Sequence, residues 1–364
     1  VIDRPLDAKD IISAHHQQTI VICNRVENVQ YLYKEVSKAF KDSKTTVFCL
    51  HSRFFDEDRK EKERQIEKYF GKGKTEDAIL ISTQVIEAGM DISCDVMHTE
   101  ICPANSFLQR AGRCARFKGE TGDIYVYGLL EIDEQEKINI EPENNKDAQE
   151  INKINKKFLP YRKELVEATF DFLQQHVKTL DGNKPKEIIE EVQSQQEEEF
   201  FTRIKTDNFN FSKIKEAWKN CEKSNYRETI RDIQNVEVCL VSDQNFEEVR
   251  KKPYQFQTIS IFKWSLVGWL KKSEEENDFE DWLAKELTES VILDMGDEGE
   301  YDLTEVKDYQ KLPPLVYLNA DHFGYSPEIG FNMEFPDTFQ NTSPLKKSSK
   351  TEESTTGLQK DTFI

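Results

Sequence analysis

The stretch Ala78-Ile-Leu-Ile81, followed directly by Ser82-Thr-Gln-Val-Ile-Glu-Ala-Gly-Met-Asp91, decides how this chain is read. Four apolar residues with no polar alternation describe a strand buried on both faces. The Ser-Thr pair then falls where the strand ends. Working outward, Thr19-Ile-Val-Ile-Cys23 is a similar run, and Val26 to Phe40 follows it with helical spacing at Val29, Leu32, Tyr33, Val36 and Phe40. Thr45 to Leu50 is a second β-rich run. Asp56 to Phe70 reads as a charged helix with Ile66, Tyr69 and Phe70 on its apolar side. Asp95 to Ile101 makes a further strand, Ser106 to Arg116 a helix, and Asp123 to Tyr127 a last strand. Continuous apolar strands alternating with helices predict a parallel sheet covered on both faces, with its functional loops at the carboxyl ends of the strands.

The pattern changes after Gly128. Glu131 to Glu199 is helical, polar and acidic, and Phe158 to Val177 is its best amphipathic segment, with Leu159, Leu165, Phe170 and Leu173 as packing candidates. Residues 225 to 330 read as mixed α and β: Val236 to Val241 a strand, Ile261 to Lys272 a helix, Val316 to Asn319 a strand. Residues 337–364 are Ser/Thr/Lys-rich and read as a disordered tail. The expected organisation is an α/β lobe over 1–130, an acidic helical insert over 131–224, a smaller α+β domain over 225–336, and the tail.

The 364 residues carry 69 acidic and 50 basic side chains, net −19. That excess argues against a general basic nucleic-acid binder. It is unevenly placed: residues 1–128 hold 19 basic and 20 acidic side chains, so nearly all of the negative charge belongs to the remainder. No run reaches the length of a membrane span, and the N-terminus has no signal-peptide pattern. Without an initiator Met, the sequence is expected to be part of a longer chain. The seven cysteines (Cys23, Cys49, Cys94, Cys102, Cys114, Cys221 and Cys239) form no C-x-x-C pair, which points to reduced thiols in a cytoplasmic protein and to no zinc site. The six histidines are scattered without ligand spacing.

Two segments carry chemistry. Ser82 to Asp91 places hydroxyls, backbone N–H groups, Gln84, Glu87, a glycine at 89 and Asp91 beyond a strand end, where phosphate oxygens are bound. Read alone, Ser82-Thr83 also suits a plain helix cap. Gln109-Arg-Ala-Gly-Arg-Cys-Ala-Arg116 spaces Arg110, Arg113 and Arg116 by three, which on a helix turns them toward one side. Arginine is the residue of bidentate phosphate recognition. Alone, this too has a plain alternative, a solvated basic face. The two segments in this order on one parallel sheet favour the phosphate reading.

With those segments, residues 19 to 128 resemble the second RecA-like lobe of a superfamily-two helicase, STQVIEAGMD resembling motif V and QRAGRCAR motif VI. His51-Ser-Arg-Phe54, then Asp58-Arg59, narrows the resemblance to the helicase-nuclease of type I CRISPR interference. Ile230 to Val238 resembles the start of that family's accessory domain. Tyr325-Ser-Pro-Glu-Ile-Gly-Phe331 resembles its late Tyr-x-x-x-x-Gly motif, with Phe in place of the usual Leu. The resemblance implies ATP-dependent translocation on single-stranded DNA in a prokaryotic cytoplasm. It implies Arg113 and Arg116 as the catalytic arginines, with Arg116 as the finger, and Gln109, Gly89 and Asp91 beside ATP. It implies His51, Ser52, Arg53 and Thr83 on single-stranded DNA, with Asn24 and Arg25 as weaker backbone contacts. Arg53 and Arg59 also suit plain surface charges.

The same resemblance implies magnesium held by a first RecA-like lobe, and that lobe, an HD nuclease domain and an RNA-guided surveillance complex as partners; no membrane is implied. A Walker A loop and a DExH box are missing. Gly73-Lys-Thr75 follows a helix and has Lys68 where the first glycine belongs. Asp56-Glu-Asp58 opens a helix instead of ending a strand. There is no His-Asp dipeptide. The sequence is therefore expected to be a C-terminal piece or a split subunit, inactive by itself. Two other readings stay open: an RNA or DNA-repair helicase of the same superfamily, and a catalytically incomplete RecA-like binding module. Trp264 and Trp269 read as core residues, with base stacking the alternative.

Overall fold

The computed structural model describes residues 1–129, 158–180, 184–193, 219, 235–241, 255–263, 265–266, 292–295, 301–304, 315–319 and 325–332. The expectations for the 337–364 tail, for Cys221, for Trp264 and Trp269, and for 230–234 of the Ile230–Val238 segment fall outside these residues. Two compact units are formed. One comprises Val1–Gln234 with Pro327–Gly330, the other Asn235–Ser326 with Phe331–Ile364.

In the first unit, α1 (Ala8–Ala14) precedes five strands: β1 (Gln18–Ile22), β2 (Thr46–Leu50), β3 (Ala78–Ser82), β4 (Val96–Glu100) and β5 (Asp123–Tyr127). They pair in the order β2-β3-β1-β4-β5, every neighbour parallel. β1, β3 and β4 are buried at every position, as a sheet covered on both faces requires. The connections are α2 (Val26–Ala39), α3 (Asp56–Phe70) and α4 (Ala104–Ala111). α2 buries Val29, Leu32 and Val36, its three- and four-spaced apolar residues. α3 carries Asp56, Glu57 and Asp58 in its first turn, where the helix dipole favours acid, and buries only Ile66 and Phe70. α1 was not expected. Asp7 and Asp10 form a capping box for it, and it buries just Ala8 and Ile11, too few to show as a periodic pattern.

Part of the acidic region packs on this lobe. Helix α5 (Lys163–His176) buries Val166, Thr169 and Leu173, while Leu165 and Phe170, expected to lead the packing, are only partly buried. Phe158, Val166 and Leu173, with Ile188 and Val192 from the short helix α6 (Lys184–Ile188) and the turn after it, share one core with Ile101, Phe107 and Val126 of the lobe. The described part of this segment is thus integral to the lobe's core.

The described strands of the second unit form a mixed sheet. Its strands are β6 (Asn235–Val241), β7 (Ile259–Phe262), β8 (Ile292–Met295), β9 (Tyr301–Thr304) and β10 (Leu315–Asn319), in the order β7-β6-β10-β8-β9. β6 and β10 are parallel and the other pairs antiparallel. The helix expected over Ile261–Lys272 begins later: Ile261 and Phe262 belong to β7, while Lys263, Ser265 and Leu266 are helical; alternating burial along Ile259–Phe262 gives the period of two that the apolar content had concealed. A two-stranded hairpin joins β11 (Tyr325–Ser326) to β12 (Gly330–Phe331). Among the described residues no helix is long and apolar enough to cross a membrane.

Candidate functional site

Because the sheet is parallel, the segments after β1, β2, β3 and β4 all emerge along one edge. The strand order reverses at β1, so the ends of β1 and β4 flank the crevice where such sheets bind ligands. In this chain a side chain from α4 fills that place.

Arg110 is fully buried. Its Nε donates to Glu87 Oε1 at 2.8 Å. Nη1 donates to Thr99 Oγ1 and Glu100 O, each at 3.0 Å, and Nη2 to Asn24 Oδ1 at 2.9 Å and Tyr161 OH at 3.0 Å. All five guanidinium donors are satisfied and Glu87 supplies a counter-charge, the condition under which a buried cation is tolerated. Glu100 holds the neighbouring turn, accepting from Asn24 N and Asn28 Nδ2 at 2.6 Å each, and burial pushes its carboxyl pKa up. Arg110 therefore joins the two motif segments and has no donor left for a ligand.

This corrects the expectation that three arginines share one helical face. α4 starts at Ala104 and stops at Ala111, two residues earlier and five residues sooner than the spacing predicts. Gly112 caps it. Beyond it, Cys94 N donates to Arg113 O and Ala115 N to Cys94 O, so Cys94 and Cys114 lie side by side as an isolated parallel bridge. Ala115, at φ 49°, then turns the chain.

Arg113 and Arg116 consequently occupy different surroundings. Arg113 Nε donates to Ile86 O at 3.1 Å and Nη2 to Glu87 O at 2.7 Å, both within the Ser82–Asp91 segment. Its Nη1 is buried without a partner. Burial and the nearby charge of Arg116 lower its pKa. Arg116 is more open: its side chain is 37% exposed and its Nε meets Asp91 Oδ1 at 2.6 Å. Its backbone N–H donates to Ser93 Oγ at 3.0 Å, and Ser93 Oγ donates to Glu120 Oε2 at 2.6 Å. Gly89 sits at φ 88° on the surface, and Gln109 is exposed on α4. The fold thus brings Arg113 and Arg116 to the Ser82–Asp91 segment and pairs Arg116 with Asp91 directly.

The residues expected on DNA are placed less uniformly. Ser52 is exposed, whereas Thr83, His51 and Arg53 are buried. Thr83 N donates to Leu50 O at 3.2 Å, tying β3's end to β2's. Arg53 Nη2 turns back to Glu27 Oε1 at 2.7 Å. His51 Nδ1 accepts from Arg53 N at 3.1 Å, and Nε2 bonds Ile329 O at 2.7 Å. Burial, helped by the charge of Arg53, pushes its pKa down to about 3. Both side chains are buried in this structure, His51 held by the Arg53 N–H and the Ile329 carbonyl and Arg53 paired with Glu27. Asn24 is in the Arg110 network, and Arg25 Nη2 donates to Asn28 Oδ1 at 3.3 Å.

Two residues were not anticipated as part of the site, Arg110 in its interior role and Tyr161 from the acidic region. The signal available for the first was the opposite charge of Glu87 and Arg110, one in each segment. Nothing marked Tyr161. Among the described residues no group of three His, Cys, Asp or Glu could hold a metal ion.

The family model "CRISPR-associated nuclease/helicase Cas3, C-terminal" matches residues 15–119. The CRISPR-associated helicase Cas3 of Thermoproteus tenax is 40% identical over 111 residues, 30% of this chain and 18% of that protein. The CRISPR-associated endonuclease/helicase Cas3 of Escherichia coli K12 is 36% identical over 101 residues, 27% of this chain and 11% of that protein. A Methanocaldococcus jannaschii relative is 31% identical over 178 residues, 47% of this chain and 20% of that protein. The matched region spans a fifth or less of the length of each of these relatives. Among solved structures, T. fusca Cas3 with AMPPNP superimposes with TM-score 0.52 over 91% of this chain and 41% of that chain, at 16% identity, a likeness of fold. Over residues 15–119 this chain is homologous to the C-terminal region of the Cas3 CRISPR helicase-nucleases, and its fold is similar to theirs.

Proposed function

We propose that this chain supplies the second RecA-like lobe, and the accessory region after it, of an ATP-dependent single-stranded-DNA translocase acting in type I CRISPR interference. One observation carries the reading. Arg113 Nη1 is a buried donor with no acceptor, and it sits against motif V beside the half-exposed guanidinium of Arg116. A buried, unpaired N–H on a charged group is costly unless an anion completes it. The residues therefore fit a nucleotide phosphate.

When bound, ATP supplies the phosphoryl group whose transfer powers movement. Arg113, anchored on two motif V carbonyls, holds a phosphate oxygen through its remaining donors. Arg116 leaves Asp91 to stabilise charge developing on the transferred group. Gln109, Gly89 and Asp91 frame the nucleotide. Ser52 and the backbone around Thr83 meet the DNA. Magnesium, the phosphate loop and the nuclease come from a first lobe and an HD domain, and an RNA-guided surveillance complex delivers the strand.

The test is reconstitution. The isolated chain is expected to show no ATP turnover, and the complete enzyme to show turnover stimulated by single-stranded DNA. Robust hydrolysis by the isolated chain, or turnover in the complete enzyme indifferent to DNA, overturns the reading.

A further inference from the structure

Residues Pro327–Gly330 belong to the first unit, although the chain on either side of them belongs to the second. This short turn offers its carbonyls to three separate parts of the lobe. Ile329 O accepts from His51 Nε2 at 2.7 Å, after β2, and from Gln30 Nε2 at 3.2 Å, on α2. Glu328 O accepts from Lys62 Nζ at 3.0 Å, on α3. Gly330 sits at φ 78°, and a Cβ built there would stand 2.6 Å from Arg53 O and 2.7 Å from His51 Cε1. Both the conformation and the space exclude any side chain.

We propose that the Pro327–Gly330 turn is the positioning element of the His51–Arg53 loop, holding Ser52 and the loop backbone in the shape that receives single-stranded DNA. The proposal rests on the reading of that loop as a DNA contact. Ile329 O can only accept, so His51 Nε2 must carry the proton. Nδ1 is then a bare acceptor, and it takes the Arg53 N–H at 3.1 Å. One carbonyl, 278 residues away in sequence, thereby selects the tautomer and orients the ring that holds the loop. The ring is sealed in this state, with Arg53, Lys62 and Glu27 as the charged groups around it and burial disfavouring protonation. Ser52, at the loop's tip, is the residue left exposed. Loops that bind phosphate backbones do so through N–H and hydroxyl groups of this kind.

The experiment uses the full 364-residue chain, with nitrogen-15 NMR of the His51 ring and fluorescence anisotropy on a labelled oligothymidylate at low salt. The unaltered chain is expected to show one neutral tautomer, protonated at Nε2, at pH 7 and still at about pH 5. Gly330→Ala is expected to mix the tautomers and to weaken DNA binding about tenfold, the equivalent of one lost backbone contact. Gly73→Ala is the control: its φ of 73° carries the same backbone cost, but nothing lies within 4 Å of the added Cβ. It should leave tautomer and binding unchanged. If Gly330→Ala does not fold, Gln30→Leu combined with Lys62→Met, which removes two of the turn's other anchors on the lobe, should let the turn drift from His51 and mix the tautomers in the same way. A ring protonated on Nδ1, or a tautomer and affinity indifferent to both variants, overturns the proposal. Failure of the unaltered chain to bind DNA while its ring holds the Nε2 proton rejects the DNA reading and, with it, the loop's function, but keeps the positioning.

Discussion

Arg110 Nε lies 2.8 Å from Glu87 Oε1, with the two side chains 0% and 10% exposed, so the segment after β3 and the segment on α4 are joined by a buried ion pair. The two stretches that carry the proposed nucleotide chemistry are mechanically one piece.

Removing Arg110 should therefore act on stability. Arg110→Ala leaves Glu87 charged and buried without its partner, and strips acceptors from Asn24, Thr99, Glu100 and Tyr161 of their donors. A loss of about 3–5 kcal/mol is expected. Urea denaturation followed by circular dichroism reads it. A change within experimental scatter would refute the keystone role.

Arg116→Ala should behave oppositely. Its ion pair with Asp91 is open to water, the side chains being 37% and 68% exposed. Such pairs contribute at most about 1 kcal/mol. Unfolding should barely shift, while ATP turnover of the complete enzyme falls by about a thousandfold or more. Retained turnover removes Arg116 from the chemistry.

Acid should weaken the lobe through its buried histidines. Burial pushes His98 down to about 4 and His51 to about 3, from an ordinary 6.5. Below pH 6.5 the unfolded chain binds protons that the folded chain refuses. Their contribution is thus full above about pH 6.5 and declines as pH falls toward the folded values. The slope is about 1.4 kcal/mol per pH unit for each ring. Glu100, with its pKa raised by burial, opposes this in part; Asp10 and Glu27, both lowered, add to the loss at the acid end. His98 stacks on Tyr125 at 5.1 Å and bonds Tyr127 OH through Nδ1, while its Nε2 has no partner. His98→Phe should flatten the stability profile between pH 6 and about pH 4 by one ring's share. An unchanged slope would show that His98 titrates normally.

Gly122 faces Cys114. A Cβ there would stand 2.6 Å from Cys114 Sγ and 2.7 Å from Asp95 O. Gly122→Ala is expected to cost about 1–3 kcal/mol, as overpacking does. The double variant with Cys114→Ala should recover only part of the loss, because the Asp95 carbonyl is backbone and cannot retract. Full recovery would place the clash on sulfur alone.

The five strands of the lobe were legible because a sheet covered on both faces demands uninterrupted apolar runs, and such runs are visible residue by residue. β1, β3 and β4 lie within one or two residues of the runs that announced them. α1 was not legible, since seven residues burying two make no pattern. Ile261–Phe262 misled because a short apolar run suits either element, and only pairing with Val236 and Asn235 made it a strand.

The motif residues divide along the same line. Their identity and order were plain in Ser82–Asp91 and Gln109–Arg116. Their surroundings were not. Three arginines at equal spacing became one sealed interior cation, one half-satisfied cation and one open cation, because α4 ends at Ala111 and the next residues follow Cys94 instead of a helix axis. His51, expected to meet DNA, is held by a carbonyl 278 residues downstream. Apolar periodicity is a local property, so the sequence by itself determined the parallel sheet and the edge at which its loops emerge. Which polar groups face water is settled by partners that only folding brings within hydrogen-bond reach, so the tertiary structure alone decided which of the motif side chains remain available to a ligand.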